Sequence, residues 1–213
     1  MKIVKFTFNM FGENGYLVYS PETREAMVVD PGMLSTAEEE AIDGYIADHD
    51  LKVKYLVNTH LHLDHCFGNP HISEKYGVTT MAHPDDHAMG FNLRRQSAEF
   101  GVNDPRIRDL GEIQPLVDGD KLTLGNEEIE VIHLPGHSRG GIALYAPADG
   151  WVITGDSLFA GSIGRTDFPE GNHSDLVRSV TERLLTLPPQ TTVLPGHGPA
   201  TTIANEAATN PFL

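Results

Sequence analysis

The stretch Thr59-His60-Leu61-His62-Leu63-Asp64-His65 places three imidazoles and one carboxylate within six residues. It follows the apolar, strand-like run at residues 53–57, and loops at the ends of rigid strands commonly carry functional side chains. Histidine makes up 11 of the 213 residues. Three histidines at set positions would therefore arise by chance at only about one start in 10,000. We interpret this HxHxDH pattern as half of a metal-binding site.

Three later loops each add one metal-binding side chain just past an apolar strand. They are Pro135-Gly136-His137, Gly155-Asp156 and Pro195-Gly196-His197. Seven ligands are too many for one tetrahedral ion, but they suit two ions if one carboxylate bridges them. Imidazole and carboxylate suit zinc, iron, manganese or cobalt, so the donor set does not identify the metal, and zinc is our first expectation. The predicted ligands of two divalent metal ions are His60, His62, Asp64, His65, His137, Asp156 and His197.

The first half of the chain mixes strand-like and helical segments. Strand-like runs cover residues 2–9, 15–19, 26–30, 53–57 and 78–82. Ser35 and Glu38 form a capping box, which predicts a helix over residues 36–49. Residues 70–76 also look helical. Residues 91–110 show little periodicity, and this predicts a mobile cover over the site.

The second half repeats this mixture. Residues 121–124 and 127–134 alternate around Gly125-Asn126 and predict a hairpin. Further strands are predicted at 141–145, 151–154 and 192–194, with a glycine-rich loop at 155–171 and a helix that Ser174 caps and that runs to about residue 185. No linker or repeat separates the two halves. We therefore expect one domain over residues 1–213, of class α/β (α+β), with two sheets face to face and helices outside.

The amino-acid composition limits the kinds of molecule that the protein is expected to bind. The 15 Lys plus Arg residues face 30 Asp plus Glu, a net charge of −15, which opposes binding to nucleic acid and to anionic membranes. No apolar run approaches the roughly 18 residues of a membrane span, and the N-terminus lacks a signal-like apolar segment. The single Cys66 excludes an internal disulfide and suits a reducing compartment. These features predict a cytoplasmic protein with a small-molecule partner.

The complete ligand pattern resembles the metallo-beta-lactamase superfamily over almost the whole chain. This resemblance implies an αβ/βα four-layer sandwich with the metals at the sheet edges. It assigns His60, His62 and His137 to the first metal, and Asp64, His65 and His197 to the second, with Asp156 as the bridge. Asp156 argues against the beta-lactamases themselves, whose second metal commonly takes a cysteine on a comparable loop. Cys66 lies elsewhere.

Two further motifs resemble the short bacterial glyoxalase II proteins. They are the run Gly161-Ser162-Ile163-Gly164-Arg165-Thr166-Asp167-Phe168-Pro169 and the tail Asn210-Pro211-Phe212. The resemblance implies a hydroxyacylglutathione hydrolase-like thioesterase, which cleaves S-D-lactoylglutathione to glutathione and D-lactate. Longer glyoxalase II enzymes add a C-terminal helical domain that contacts glutathione, whereas this sequence ends at Leu213. The thiol carrier is therefore left open.

General chemistry supports thioester hydrolysis at such a site. Two cations that share a hydroxide lower the pKa of water from about 15.7 towards 7, and the hydroxide would attack a polarised carbonyl. A thiol with a pKa of about 8.5 leaves readily as thiolate. Asp64 is the candidate catalytic residue, which would orient the hydroxide or take its proton. Arg165 is a candidate for binding a substrate carboxylate, or for an ion pair with Asp167.

Two other functions remain open from the sequence. The same motif and a similar Gly-Arg-Thr-Asp-Phe run resemble the persulfide dioxygenases, which implies a single iron held by His60, His137 and Asp156. The other is a metal-binding scaffold without catalysis, which is disfavoured because no ligand position is missing. Metal stoichiometry separates the first alternative from a two-metal hydrolase.

Overall fold

Two six-stranded sheets form the centre of the fold, and the computed structural model describes all of residues 1–213. The first sheet takes six strands in chain order, β1 (Lys2–Phe8), β2 (Glu13–Tyr19), β3 (Glu25–Val29), β4 (Lys52–Val57), β5 (Thr80–Ala82) and β6 (Ile113–Pro115). The remaining strands are β7 (Lys121–Leu124), β8 (Glu127–His133), β9 (Ile142–Ala146), β10 (Trp151–Gly155), β11 (Leu158–Phe159), β12 (Ser162–Ile163), β13 (Thr192–Pro195) and β14 (Thr201–Thr202). Of these, β11 and β12 pair as a separate hairpin, and the others form the second sheet in the order β14-β13-β10-β9-β8-β7.

Each sheet contains parallel strands that end side by side. Strands β3 and β4 are parallel and pair Val29 with Val57. Strands β10 and β13 are also parallel and pair Gly155 with Pro195. The loops that leave these strand ends therefore meet at one edge of each sheet, which is where the sequence places most of the candidate ligands.

Six α-helices connect the strands, namely α1 (Thr36–Asp48), α2 (Asn69–Tyr76), α3 (His87–Gly90), α4 (Leu93–Glu99), α5 (His173–Ser179) and α6 (Ile203–Thr209). Helix α1 begins with the predicted capping box. Ser35 Oγ accepts from Glu38 N at 3.3 Å, and Glu38 Oε2 accepts from Ser35 N at 2.9 Å. None of the helices combines the length and the apolar character needed to cross a bilayer.

Apolar side chains from both sheets meet in a shared core, with Tyr16 and Val29 from the first sheet and Leu144 and Ile153 from the second. The outer face of the first sheet packs against α1 and α2, and that of the second packs against α5 and α6. The layers therefore follow the order helix, sheet, sheet, helix. This confirms the predicted αβ/βα four-layer sandwich.

One local prediction was wrong. Helix α5 begins after Asn172, whose side chain accepts from Asp175 N at 3.1 Å, so Asn172 and not Ser174 is the N-cap. The segment 91–110 contains α4, and its Leu93 and Ile107 are buried in an apolar cluster with the loop after β4. Packing against that loop supplies the stability that the weak periodicity of the segment did not predict. Strands β6 and β14 and helix α6 were also not predicted.

The carboxylate of Glu206 fastens α6 to the β11–β12 hairpin. It is buried and accepts hydrogen bonds from Gly161 N at 2.9 Å, from Thr201 Oγ1 at 2.6 Å and from Asn210 Nδ2 at 2.8 Å. Burial opposes ionisation of this carboxyl group, but the hydrogen bonds outweigh burial and lower its pKa below the usual 4.5. The ionised form therefore stabilises the end of the chain.

We expect Glu206→Gln to lower the free energy of unfolding at pH 7 by about 2 kcal/mol, because an amide nitrogen would face hydrogen-bond donors. Since the folded-state pKa is the lower one, this stability is present above pH 4.5 and is lost as the pH falls through the folded-state pKa. Urea unfolding at pH 7 and at about pH 3.5, with chelator present, measures the difference. The difference should shrink at the lower pH, and Glu40→Gln on the exposed side of α1 is the control. A difference that is equal at both pH values would contradict this role for Glu206.

Candidate metal centre

All seven predicted ligands meet at one edge of the two sheets. The loop after β4 carries four of them, and Leu61 and Leu63 anchor this loop in an apolar cluster. The loops after β8, β10 and β13 each add one more. Together these loops bring into one region His60, His62, Asp64, His65, His137, Asp156 and His197.

Three buried histidines form a first group. His62 Nδ1 lies 2.9 Å from His137 Nε2, and His137 Nε2 lies 3.3 Å from His60 Nε2. Two nitrogen ligands of a tetrahedral zinc ion, each about 2.05 Å from the metal, would lie about 3.3 Å apart. The three ring nitrogens therefore have a spacing that suits one cation.

A second group contains Asp64, His65 and His197. Asp64 Oδ2 lies 3.3 Å from His197 Nε2 and 3.8 Å from His65 Nε2. Asp156 lies between the two groups, since its Oδ2 is 3.5 Å from His197 Nε2 and 3.7 Å from His137 Nε2. Its Oδ1 is 3.5 Å from His65 Nε2. One carboxylate thus approaches both groups.

Two buried atoms at this junction, His65 Nε2 and Asp156 Oδ1, have no hydrogen-bond partner. Buried polar atoms are almost always satisfied, so both atoms are suited to a group that accepts their lone pairs. The backbone leaves room for this arrangement, because a Cβ at position Gly196 would collide with Asp156 Oδ1. The donor set of imidazoles and carboxylates suits zinc, iron and manganese. These residues therefore fit a pair of divalent cations.

The pKa shifts of the candidate ligands are consistent with a bound cation. Burial and the neighbouring imidazoles lower the pKa of His60, and burial lowers the pKa of His137 to about 4. Both rings are therefore neutral at pH 7, with lone pairs available. Burial opposes protonation of His65, but Asp64 and Asp156 outweigh it and raise its pKa, so these carboxylates favour a positive charge here, which a bound cation would supply in place of the proton. Burial also opposes ionisation of Asp156, yet the contact with His65 holds its pKa well below the usual range.

Asp30 lies on the side of His65 that faces away from the other ligands, and the ligand pattern did not predict this contact. Asp30 Oδ2 accepts from His65 Nδ1 at 3.2 Å and from Thr59 Oγ1 at 2.6 Å, and its Oδ1 accepts from Thr59 N at 2.7 Å. An outer carboxylate of this kind fixes the tautomer and the orientation of a metal-binding imidazole. The signal was present in the sequence, because Asp30 ends an apolar strand just as the other candidates do.

The loop after β12 holds two further imidazoles. His62 Nε2 lies 3.1 Å from Glu170 Oε1, and His137 Nδ1 lies 2.8 Å from the carbonyl oxygen of Arg165. Because His62 Nδ1 faces the other imidazoles, its Nε2 carries the proton that is donated to Glu170. The contact of Glu170 with His62 could not be predicted from the sequence. The sequence of a long loop does not determine which of its side chains points towards the site.

Asp86 joins two of the ligand loops. Its carboxylate is buried and accepts from Leu61 N at 3.3 Å, from Ser138 Oγ at 2.7 Å and from Gly140 N at 2.6 Å. Leu61 belongs to the loop after β4, and the other two donors belong to the loop after β8. A single carboxylate therefore sets the distance between these loops.

A cavity of about 250 Å³ opens in front of the two groups. We call it the central cavity. Its apolar wall is formed by Phe11, Leu63, Phe100 and Phe168. Phe100 follows α4 directly, so the segment 91–110 borders the site, as predicted. The cavity is open enough for a small molecule to reach Asp64 and the imidazoles.

Arg165 also lines this cavity, but its charged group is already paired. Its Nε and Nη2 each lie 2.7 Å from the carboxylate of Asp167, and its guanidinium lies 4.0 Å from the ring centre of Phe168. Both partners are in the same loop. Of the two roles considered for Arg165, the structure contains the ion pair with Asp167.

Comparisons with known proteins agree with this geometry. The family model of the metallo-beta-lactamase superfamily matches residues 9–197. An uncharacterized protein of Mycobacterium leprae is 37% identical, with 100% of this chain and 99% of that protein covered. The hydroxyacylglutathione hydrolase GloC of Haemophilus influenzae is 34% identical, with 100% and 98% covered.

Solved structures share the fold over the full length. The crystal structure of TTHA1623 in a di-iron-bound form has a TM-score of 0.87 at 35% identity, with 99% of this chain and 100% of that chain covered. The structure of ETHE1 from Myxococcus xanthus has a TM-score of 0.78 at 27% identity, with 99% and 84% covered. The family match, the shared fold and the converging side chains lead to one conclusion. The chain belongs to the metallo-beta-lactamase superfamily.

Proposed function

We propose that this protein is a binuclear metal-dependent hydrolase of thioesters. The observation that carries the proposal is the position of Asp156 Oδ2, 3.7 Å from an imidazole of the first group and 3.5 Å from one of the second. A bridging carboxylate of this kind is a common device of two-metal sites. In the proposed assignment the first ion is held by His60, His62 and His137, the second by Asp64, His65 and His197, and both by Asp156.

Bound divalent cations would supply acidified water and an electrophile for a carbonyl oxygen near neutral pH. Asp64 faces the central cavity, and we assign it the role of orienting the attacking water and accepting its proton. The aromatic wall of the cavity packs against the acyl group and excludes bulk water. Addition of the water oxygen to the carbonyl carbon forms a tetrahedral adduct, and re-formation of the carbonyl breaks the carbon–sulfur bond and leaves the acyl group as a carboxylic acid. The sulfur leaves as thiolate, which needs little help from a general acid because its conjugate thiol has a pKa of about 8.5.

Likeness to the Haemophilus influenzae hydroxyacylglutathione hydrolase, at 34% identity, supports the thioester as the substrate class. The relative is covered over 98% of its length, so the comparison extends beyond the metal-binding loops. S-D-lactoylglutathione is therefore the first substrate to assay. Zinc is the first metal to assay, beside iron and manganese.

A second candidate is an iron-dependent persulfide dioxygenase. It is favoured by the convergence of His60, His137 and Asp156, because two histidines and one carboxylate form the facial set that non-haem iron oxygenases use. In that case a single iron would suffice. The chemistry would then consume oxygen rather than add water.

One experiment separates the two candidates. The protein is purified without added metal, its metals are quantified per chain, and it is assayed on S-D-lactoylglutathione and on glutathione persulfide. Two metals per chain with thioester hydrolysis is the expected result. One iron per chain with oxygen consumption on the persulfide would overturn the hydrolase. Bound metal with neither activity, and with no hydrolysis of the D-lactoyl thioester of the uncharged thiol N-acetylcysteamine, would favour a scaffold.

The contact between Asp30 and His65 leads to a separate prediction. We expect Asp30→Asn to weaken binding of the second metal by about 10- to 100-fold, because the outer acceptor of His65 loses its charge. Competition with a chromogenic chelator measures the affinity of each ion. Asp48→Asn, on the exposed end of α1, is the matched control and should bind both ions like the unsubstituted protein. Unchanged affinity in Asp30→Asn would show that this carboxylate does not act through His65.

A further inference from the structure

A second cavity adjoins the central cavity on the far side of His62. Its volume is about 280 Å³, and we call it the side cavity. His62, Phe100 and Phe168 line both cavities. The side cavity therefore lies directly beside the position of a substrate at the imidazoles.

The one cationic side chain of the side cavity is already paired with a carboxylate. This side chain is Arg95, and Arg95 Nε lies 2.9 Å from Glu99 Oε1 on the same helix. Glu170 is the remaining charged residue, and its side chain is 25% exposed. Glu170 Oε1 accepts from His62 Nε2 at 3.1 Å and has no lysine or arginine partner in the lining. The lining thus presents one carboxylate that no cationic side chain pairs with.

The uncharged polar groups of the side cavity present acceptors. Asn92 Nδ2 donates to the carbonyl oxygen of Ala88 at 2.7 Å, and Gln96 Nε2 donates to that of Met89 at 2.9 Å. Gln96 Nε2 also donates to the carbonyl oxygen of Leu61 at 3.2 Å, so both of its N–H groups are used and its amide oxygen is left as an acceptor, whereas Asn92 keeps one N–H beside its amide oxygen. Together with Glu170, these oxygens favour a hydrogen-bond donor and disfavour a carboxylate or a phosphate.

We propose that the side cavity binds an uncharged, hydrogen-bond-donating thiol moiety, and that Glu170 makes it select against anionic thiol carriers such as glutathione. This inference rests on the proposed thioester hydrolysis. Glu170 acts here as a specificity-determining residue, since it lies beside the substrate and takes no part in bond breaking. Its contact with His62 puts it close enough for its charge to act on a bound thiol.

Two thioesters with the same D-lactoyl group test the proposal, one formed with glutathione and the other with the uncharged thiol N-acetylcysteamine. The variant is Glu170→Gln, which keeps an oxygen acceptor for His62 and removes the charge. Because Glu170 also accepts from the metal-binding His62, both thioesters share any effect of this variant on metal binding, and the readout is the ratio of their kcat/KM values at saturating metal. We expect the ratio of the glutathione thioester to the uncharged thioester to rise about fivefold in the variant. Glu40→Gln removes the same charge from the exposed side of α1 and should change neither value.

Metal content is measured for every protein, so that a change in occupancy is not mistaken for a change in specificity. Glu99→Gln is a second variant for the case in which Glu170→Gln folds poorly. It releases Arg95 and should also favour the glutathione thioester. An equal response of both thioesters to these variants would overturn the side-cavity assignment alone. Hydrolysis of neither thioester by the metal-loaded protein would overturn the proposed function, and this inference with it.

Discussion

Replacement of Asp156 by asparagine is expected to abolish hydrolysis, with a fall in kcat on the order of 10³-fold or more. Asp156 now turns one oxygen towards His65 and the other towards both His137 and His197. Asparagine has a single oxygen, and its amide nitrogen has no lone pair to offer a cation. We therefore expect the variant to hold about one metal per chain in place of two.

Elemental analysis and chelator competition measure this loss directly and do not depend on an assay substrate. Asp48→Asn is the matched control, since it makes the same chemical change on an exposed helix end. Circular dichroism of the metal-free proteins verifies that Asp156→Asn is folded. A folded Asp156→Asn protein that still binds two metals with normal affinity would contradict the bridging assignment and the two-metal mechanism that depends on it.

The positions of the ligands could be predicted because each one follows an apolar strand. His60 to His65 follow β4, and His137, Asp156 and His197 each follow a strand of the second sheet. Apolar runs mark strands in the sequence, and parallel strands end at a common edge. The same rule would have selected Asp30, which follows β3.

Other parts of the site could not be predicted from pattern. Glu170 reaches His62 across 108 positions of sequence, and its direction depends on how a long loop folds. Helix α4 is stabilised by tertiary packing of Leu93 rather than by its own periodicity. Asp86 is one of two adjacent acidic residues, Asp85-Asp86. No sequence pattern distinguishes the exposed Asp85 from the buried Asp86.

Asp86 also leads to the largest expected effect on stability. In Asp86→Ala, the donors Leu61 N, Ser138 Oγ and Gly140 N would lose the carboxylate that they now share. Unsatisfied buried donors are costly, so we expect the free energy of unfolding of the metal-free protein to fall by about 3 kcal/mol. The melting temperature should fall by about 6–12 °C. Because the three donors lie on two ligand loops, metal affinity should fall as well.

Asp85→Ala provides the matched control, since it removes an exposed carboxylate from the adjacent position and should cost less than about 0.5 kcal/mol. Urea unfolding with chelator measures stability separately from metal binding, and titration of the refolded proteins with zinc then measures affinity. Asp86→Asn should lie between the two alanine variants, because its amide keeps one acceptor oxygen but turns a nitrogen towards a donor. If Asp86→Ala lost stability yet bound zinc normally, the carboxylate would support the fold without setting the distance between the ligand loops. If Asp86→Ala lost neither stability nor zinc affinity, the three hydrogen bonds would contribute far less to stability than buried hydrogen bonds to a carboxylate normally do.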